Sequence, residues 1–259
     1  ATNSAGAGAT PTAGSVKIDG VNLGSALAGT IAATKITANT TLMMSAVMYE
    51  GTGANATVAH GLGVAPEFIM IKNIDATQNW LNYHSGIGNT KAVFQNLTNA
   101  ATDYSVYFND TSPTSSTFSL GSGSQGNQSG VTHIAYCFAP SQFISITTAV
   151  ANNSTDGTFI PTLNSLGVPL QPIFGIHKQD LVASWYMYDT ARSPYNVANK
   201  FLGADLAAAE GTSARDLDIV TGGWKMRTAA NPNDLTGTIL SLTIGIPIID
   251  TDGRIIAGR

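Results

Sequence analysis

Charge is scarce in this sequence. Asp, Glu, Lys and Arg make up 11% of the 259 residues, against roughly 25% in an ordinary soluble domain. The twelve basic residues are scattered and the net charge is −4, so the clustered Lys and Arg with which a nucleic-acid binder replaces counterions are missing. No apolar run approaches the roughly 18 residues that a membrane-spanning helix needs. The single cysteine, Cys137, leaves no intrachain disulfide, and its setting in His133-Ile134-Ala135-Tyr136-Cys137-Phe138 reads as that of a small buried hydrophobe. His60, His84, His133 and His177 show no i, i+4 pair, and no His-x-Glu or Cys-x-x-Cys occurs, which removes the usual metal-site patterns. No Gly-x-Ser-x-Gly elbow is present. Gly121-Ser122-Gly123-Ser124 lacks the Lys-Ser or Lys-Thr of a phosphate loop. Neither a cofactor nor an enzymatic activity is expected.

Hydrophobic residues, at 43%, are ample for a core. Ser, Thr, Asn, Gly and Ala take the places that charged side chains normally fill. Uncharged hydroxyl and amide surfaces suit proteins that stack in large assemblies or face outward from particles, where like charges on neighbouring copies would repel.

Residues 1–40 are small and polar, with short alternating patterns at Val16-Lys17-Ile18 and Thr34-Lys35-Ile36. They are expected to form an extended arm for attachment or oligomerisation. From residue 41 onward, short period-two runs alternate with Gly, Asn, Asp, Ser and Pro clusters: Phe68-Ile69-Met70-Ile71, Trp80-Leu81-Asn82-Tyr83 and Thr117-Phe118-Ser119-Leu120. Regular short strands with turn signals indicate an all-β sandwich or barrel. Residues 197–209, with Leu202 and Leu206 four apart, form the one segment with a helical spacing.

The chain also repeats itself. Trp80 and Trp185 stand 105 residues apart, each followed three residues later by a tyrosine, Tyr83 and Tyr188. Upstream, Pro66-Glu67-Phe68-Ile69-Met70-Ile71-Lys72 answers Pro172-Ile173-Phe174-Gly175-Ile176-His177-Lys178, and Leu62-Gly63-Val64 answers Leu166-Gly167-Val168. Downstream, Lys91-Ala92-Val93-Phe94 answers Lys200-Phe201-Leu202, and Phe118 answers Trp224. The expected architecture is an all-β chain of two divergent β-sandwich, jelly-roll-like units, residues 41–143 and 144–259. The second unit ends in a hairpin at Asp252-Gly253. Trp80, Tyr83, Trp185, Tyr188, Phe118 and Trp224 are the expected structural anchors, with the tryptophan face of each strand turned inward.

Val58-Ala59-His60-Gly61-Leu62-Gly63-Val64-Ala65-Pro66-Glu67-Phe68-Ile69-Met70-Ile71-Lys72 is similar to a repeat found in tail proteins of tailed phages, many of them marine. The similarity continues through Asp75, Trp80-Leu81-Asn82-Tyr83-His84, Lys91-Ala92, Pro113-Thr114-Ser115-Ser116-Thr117-Phe118-Ser119-Leu120-Gly121 and the strand Ala135 to Ala139. It covers residues 48–140 well and 160–247 more weakly, and the second copy departs from it in having Asn164-Ser165-Leu166-Gly167 for the His-Gly-Leu-Gly turn. The resemblance implies a virion protein on the particle exterior: a tail fibre, spike or appendage subunit, homo-oligomeric with a trimer favoured, joined to other virion proteins through the arm. A capsid decoration or cement protein is the alternative, and a glycan depolymerase a second one.

For binding, aromatic platforms flanked by acids and amides suit the stacking and hydroxyl bonding of sugar rings. Tyr104 and Tyr107 beside Asp103 and Asp110 in the first copy, and Tyr195 near Arg192 in the second, are the candidate positions for contact with a host-surface glycan.

Overall fold

Met44-Ser45-Ala46-Val47-Met48-Tyr49-Glu50 buries every second residue, Ser45, Val47 and Tyr49. This is the period of a strand with one face on a core, and the same logic builds the whole chain. A computed structural model describes residues 15–22, 27, 29–32, 35–212 and 214–248. The expected hairpin at Asp252-Gly253 lies outside the described residues. The fold is all-β, with only short helical turns among the described residues.

The chain divides into two units: residues 1–94 with 102–139, and residues 95–101 with 140–259. The expected boundary after residue 143 therefore shifts, because 95–101 and 140–143 belong to unit 2. Unit 1 holds β1 (Ser15–Ile18), β2 (Val21–Asn22), β3 (Lys35–Asn39), β4 (Met44–Glu50), β5 (Ala56–Ala59), β6 (Phe68–Asn73), β7 (Leu81–His84), β8 (Lys91–Phe94), β9 (Thr102–Asp103), α1 (Ser105–Phe108), β10 (Thr117–Leu120), α2 (Ser124–Asn127) and β11 (Thr132–Phe138). Unit 2 holds β12 (Ile144–Val150), β13 (Phe159–Pro161), β14 (Leu170–Gln179), β15 (Tyr186–Asp189), β16 (Leu202–Gly203), β17 (Leu217–Val220), β18 (Gly223–Met226) and β19 (Thr238–Pro247).

The large sheet of unit 1 runs β2-β1-β3-β4-β11-β6-β7-β8-β9, and its small sheet is β10-β5. The large sheet of unit 2 runs β12-β19-β14-β15-β16, and its small sheet is β13-β18-β17. The stretch β4-β11-β6-β7-β8 thus has the order of β12-β19-β14-β15-β16. The registers agree as well. Met44, Phe138, Phe68 and His84 lie side by side across unit 1. Ile144, Ile244, Phe174 and Asp189 lie side by side across unit 2. A slip of one residue in either sheet would turn a whole strand over, so this agreement is a strong sign of one repeated unit. At the Leu-Gly-Val turns, Gly63 and Gly167 both take a left-handed φ, 78° and 73°, which a side chain would resist.

Each core closes where the small sheet sets an aromatic ring against the large one. In unit 1, Phe118 packs edge-on against Tyr49 at 6.1 Å, and Tyr49 stacks on His133 at 5.3 Å. In unit 2, Trp224 packs against His177 at 5.2 Å and Tyr188 at 6.5 Å, and its indole N–H donates to Thr243 Oγ1 at 2.9 Å. The copies compensate around these rings. Cys137 faces Ile69 in unit 1, and Thr243 faces Gly175 at the corresponding place in unit 2. A Cβ on Gly175 would stand 2.5 Å from Trp224 Cζ2. The larger ring therefore takes a bare glycine and a hydroxyl acceptor where the smaller one has isoleucine and a thiol. Cys137 is fully buried, and burial pushes its thiol up to about 12, which keeps it in the unreactive neutral form.

Three expectations are corrected. Residues 15–39 are not a free arm where they are described: β1 and β3 extend the sheet beside β4, burying Val16, Ile36 and Ala38. The segment 197–209 is not a helix. Ala198 bridges Leu217, Phe201 bridges Gly211 and Leu202 pairs with Met187, so tertiary strand pairing overrides the weak helical spacing. The inward tryptophan face holds only in part: Trp185, Asn82 and His84 are buried, but so are the opposite-face residues Leu81, Tyr83, Tyr186 and Tyr188, while Trp80, Met187 and Asp189 are only partly buried. Tyr83 and Leu81 point to the helical turns, Tyr83 with its ring 5.5 Å from Phe108 and Leu81 against Gly126. Tyr186 and Tyr188 share the core with Trp224 and Leu217. Both tryptophans precede their strands. Trp185 is buried, whereas Trp80 is only partly so and stacks on Tyr136 at 6.4 Å.

Truncating Trp224 to Ala should cost about 3–5 kcal/mol, the usual loss for a buried indole. Trp80→Ala should cost less than half as much. Urea titration followed by circular dichroism checks the order, and equal losses would contradict it.

Candidate functional site

The sequence-selected surface of unit 1 is built on a tight reversal after β9. Tyr104 is extended, at φ −152° and ψ 116°, and its N–H is held by Thr90 O at 3.1 Å. The single turn α1 follows and is stopped by two left-handed residues, Asn109 and Asp110, the residue types that tolerate this region. The turn is pinned from below. Gly121 N–H donates to Tyr107 O at 2.9 Å, and Gly123 N–H donates to Val106 O at 2.7 Å. A Cβ on Gly121 would approach Ser105 O to 2.4 Å, so only glycine lets the strand end run this close.

Phe108 is the buried anchor of this reversal. Tyr107 lies half-buried, edge-on to Phe94 at 5.6 Å and to Tyr104 at 5.9 Å. Burial and the neighbouring Tyr104 push the Tyr107 hydroxyl above its ordinary range. Tyr104 is 55% exposed. Asp103 is exposed and pairs across the strands with Lys91. Asp110 is exposed, and its carbonyl takes a bond from Asn89 at 2.8 Å. Asn55 reaches Asn109 at 2.6 Å. The four predicted residues of unit 1 therefore lie within one braced stretch, in which Tyr104 and both carboxylates are exposed and Tyr107 is half-buried.

In unit 2 the pair separates chemically. Tyr195 is 84% exposed. Arg192 is committed: its Nε donates to Asp189 Oδ2 at 2.6 Å, its other arm to Met187 O at 3.0 Å, and Glu210 lies 3.7 Å away. Partial burial would raise the Asp189 carboxyl, but the bonds and charge of Arg192 outweigh it and hold it low. The neighbouring Asn196 exchanges both its amide groups with the Ile219 backbone. Arg192 thus clamps its own turn, whereas Tyr195 stands free of it on the surface.

Three polar devices escaped the sequence reading, and each occurs in both units. Lys72 Nζ donates to Gln78 O at 2.8 Å, and Lys178 Nζ to Ala183 O at 2.5 Å, each tying down the turn before the tryptophan. Asp75 accepts the Thr132 N–H at 2.9 Å, and Asp180 accepts the Thr238 N–H at 2.8 Å. Buried Asn127 bonds Thr52 N and the carbonyls of Ala54 and Gly121. Buried Asn233 bonds Asn152 N and the carbonyls of Ser154 and Thr228. Their common signal was the repeat spacing itself, since Asn127 and Asn233 stand as far apart as Phe118 and Trp224. These groups knot loops together and are internally satisfied.

His60 is buried in the His-Gly-Leu-Gly turn, with Nε2 at 3.1 Å from Thr114 O and Nδ1 accepting the Leu62 N–H. This bears on the absence of that histidine from unit 2, where Asn164 Oδ1 accepts the N–H groups of Leu166 and Val168 instead. Asp218 is buried on β17 and bonded to Arg227. Among the described residues no group of three or more His, Cys, Asp or Glu is arranged to hold a metal.

Residues 18–241 match a family model described as a domain of unknown function, DUF7483. No curated protein and no solved structure matches the chain.

His177 carries a pH dependence for unit 2. It is fully buried against Trp224 and Tyr188, and burial pushes it down to about 3. Between its ordinary value near 6.5 and about 3, the unfolded chain binds the proton and the folded chain does not. Stability should therefore fall as pH drops through that window, by up to about 1.4 kcal/mol per unit. The urea stability of wild type minus that of His177→Leu should fall from pH 7 to pH 4. A pH-independent difference would contradict a neutral buried imidazole.

Proposed function

Taking as premise that the chain belongs to the DUF7483 family, a domain family of unknown function, we propose that it is a structural subunit of a virus particle. It would serve as a tail fibre, spike or appendage whose sandwich-like units are carried on the outside and whose unit 1 contacts host-surface glycan. The observation that carries this reading is the exposed Tyr104, edge-on to half-buried Tyr107, with exposed Asp103 and Asp110 on the same braced stretch. A sugar ring offers an apolar face and a rim of hydroxyls. A tyrosine face with carboxylates and amides at its edge meets both, and a rigid support limits the ordering cost of binding.

The resemblance of residues 48–140 to a phage tail repeat, together with the scarcity of charge, supports the place on a virion. A cement protein would need residues 1–40 free to clamp onto a shell. The incorporation of β1 and β3 into the sheet beside β4 removes part of that arm and favours the fibre or appendage reading.

Tyr104→Ala should lower binding to host capsule or lipopolysaccharide glycan by roughly tenfold, equivalent to about 1.4 kcal/mol, with an unchanged circular dichroism spectrum. Tyr195→Ala should leave binding near the wild-type level. Calorimetry with purified host polysaccharide reads both. Absence of binding by the wild type, or undiminished binding by Tyr104→Ala, would overturn the glycan assignment.

A further inference from the structure

We propose that β12 pairs with β12 of a second copy of this chain, antiparallel and across a two-fold axis, joining two five-stranded sheets edge to edge. Unit 1 shows the paired form of the same position. There β4, the counterpart of β12, has β11 on one side and β3 on the other, with Ile36 opposite Val47 and Ala38 opposite Ser45. In unit 2, β12 has β19 on one side and, among the described residues, no strand on the other. The segment that would supply a counterpart of β3, the strand just before it in the chain, is β11, which is already held between β4 and β6.

The charge pattern selects the occupant. A seven-residue edge strand is normally guarded by Lys, Pro, a bulge or an inward charge. The sequence of β12, Ile-Ser-Ile-Thr-Thr-Ala-Val, has none of these, and no ionisable side chain occurs between Pro140 and Asp156. The other outermost strands of the two large sheets, β2, β9 and β16, are two residues long. A strand laid against itself normally brings like charges together, and this one brings none. It aligns hydroxyl and β-branched side chains that favour cross-strand pairing. Thr148 and Val150 are exposed, Val150 by 68%; the Val150 carbonyl already accepts a bond from Thr158 Oγ1 at 2.6 Å, which leaves the backbone around Thr148 as the stretch open to a partner. Pairing β12 with its own copy closes as a dimer and leaves no β12 edge to propagate a fibre.

Sedimentation velocity of the full chain over a concentration series tests this, with Thr148→Lys and Thr148→Glu as variants at an exposed position. Wild type should form a dimer. Each variant alone should raise the dimer dissociation constant by about tenfold or more, through like charges facing across the axis. An equimolar mixture of the two variants should restore the dimer. A wild-type chain that stays monomeric, variants that associate as wild type does, or two folded variants that fail to rescue each other would each overturn the proposal.

Discussion

Each unit depends on one aromatic ring that the small sheet presses into the large one. The ring removes the most apolar area of any side chain available to that sheet, and it fixes the spacing of the two layers. Its neighbours must then conform. Trp224 has an N–H to satisfy and an extra ring to house, and unit 2 supplies Thr243 Oγ1 and the bare backbone of Gly175. Phe118 has neither demand, and the corresponding positions are Cys137 and Ile69. Close-packed interiors resist a change at one site unless a facing site changes with it. The two halves of this chain are two solutions of that constraint on one topology.

Around these rings the units share their polar knots and differ at their surfaces. Lys72 and Lys178, Asp75 and Asp180, and Asn127 and Asn233 make matching bonds to matching backbone groups. These bonds hold the loops at one end of each sheet, and buried backbone that went without them would be costly. Between β8 and β10, unit 1 builds the tyrosine reversal. Between β16 and β18, unit 2 instead places Arg215 over the rings of Tyr186 and Phe201 at 4.7 Å and 5.4 Å. A duplicated scaffold with divergent connections is free to give one unit a binding face that the other lacks.

Much of this was legible in the sequence. Short alternating runs gave the strands, and the spacing of Lys72, Trp80 and Phe118 against Lys178, Trp185 and Trp224 gave the repeat. Burial direction was not legible. Trp80 and Trp185 stand one residue before their strands, and both faces of β7 are buried, so alternation alone does not single out the core side that Tyr83, Tyr186 and Tyr188 also share. The segment 197–209 read as a helix because Leu202 and Leu206 are four apart, but Gly203 interrupts it and pairing with Met187 decides its form. Asn127 and Asn233 carry no local signal, because an asparagine in a Gly- and Ser-rich loop ordinarily faces water. Of the candidate surface, the cluster at Tyr104 could be read from local composition, whereas the engagement of Arg192 by Asp189 and Glu210 could not.

A double-mutant cycle on Gly175 and Trp224 tests the coupling of ring and neighbour most directly. Gly175→Ala in the wild-type chain should lower stability by about 1–3 kcal/mol, the usual range for overpacking. In a Trp224→Phe background the same alanine should cost far less, leaving a coupling energy of at least about 1 kcal/mol. Additive losses, with Gly175→Ala costing the same beside phenylalanine as beside tryptophan, would contradict the account.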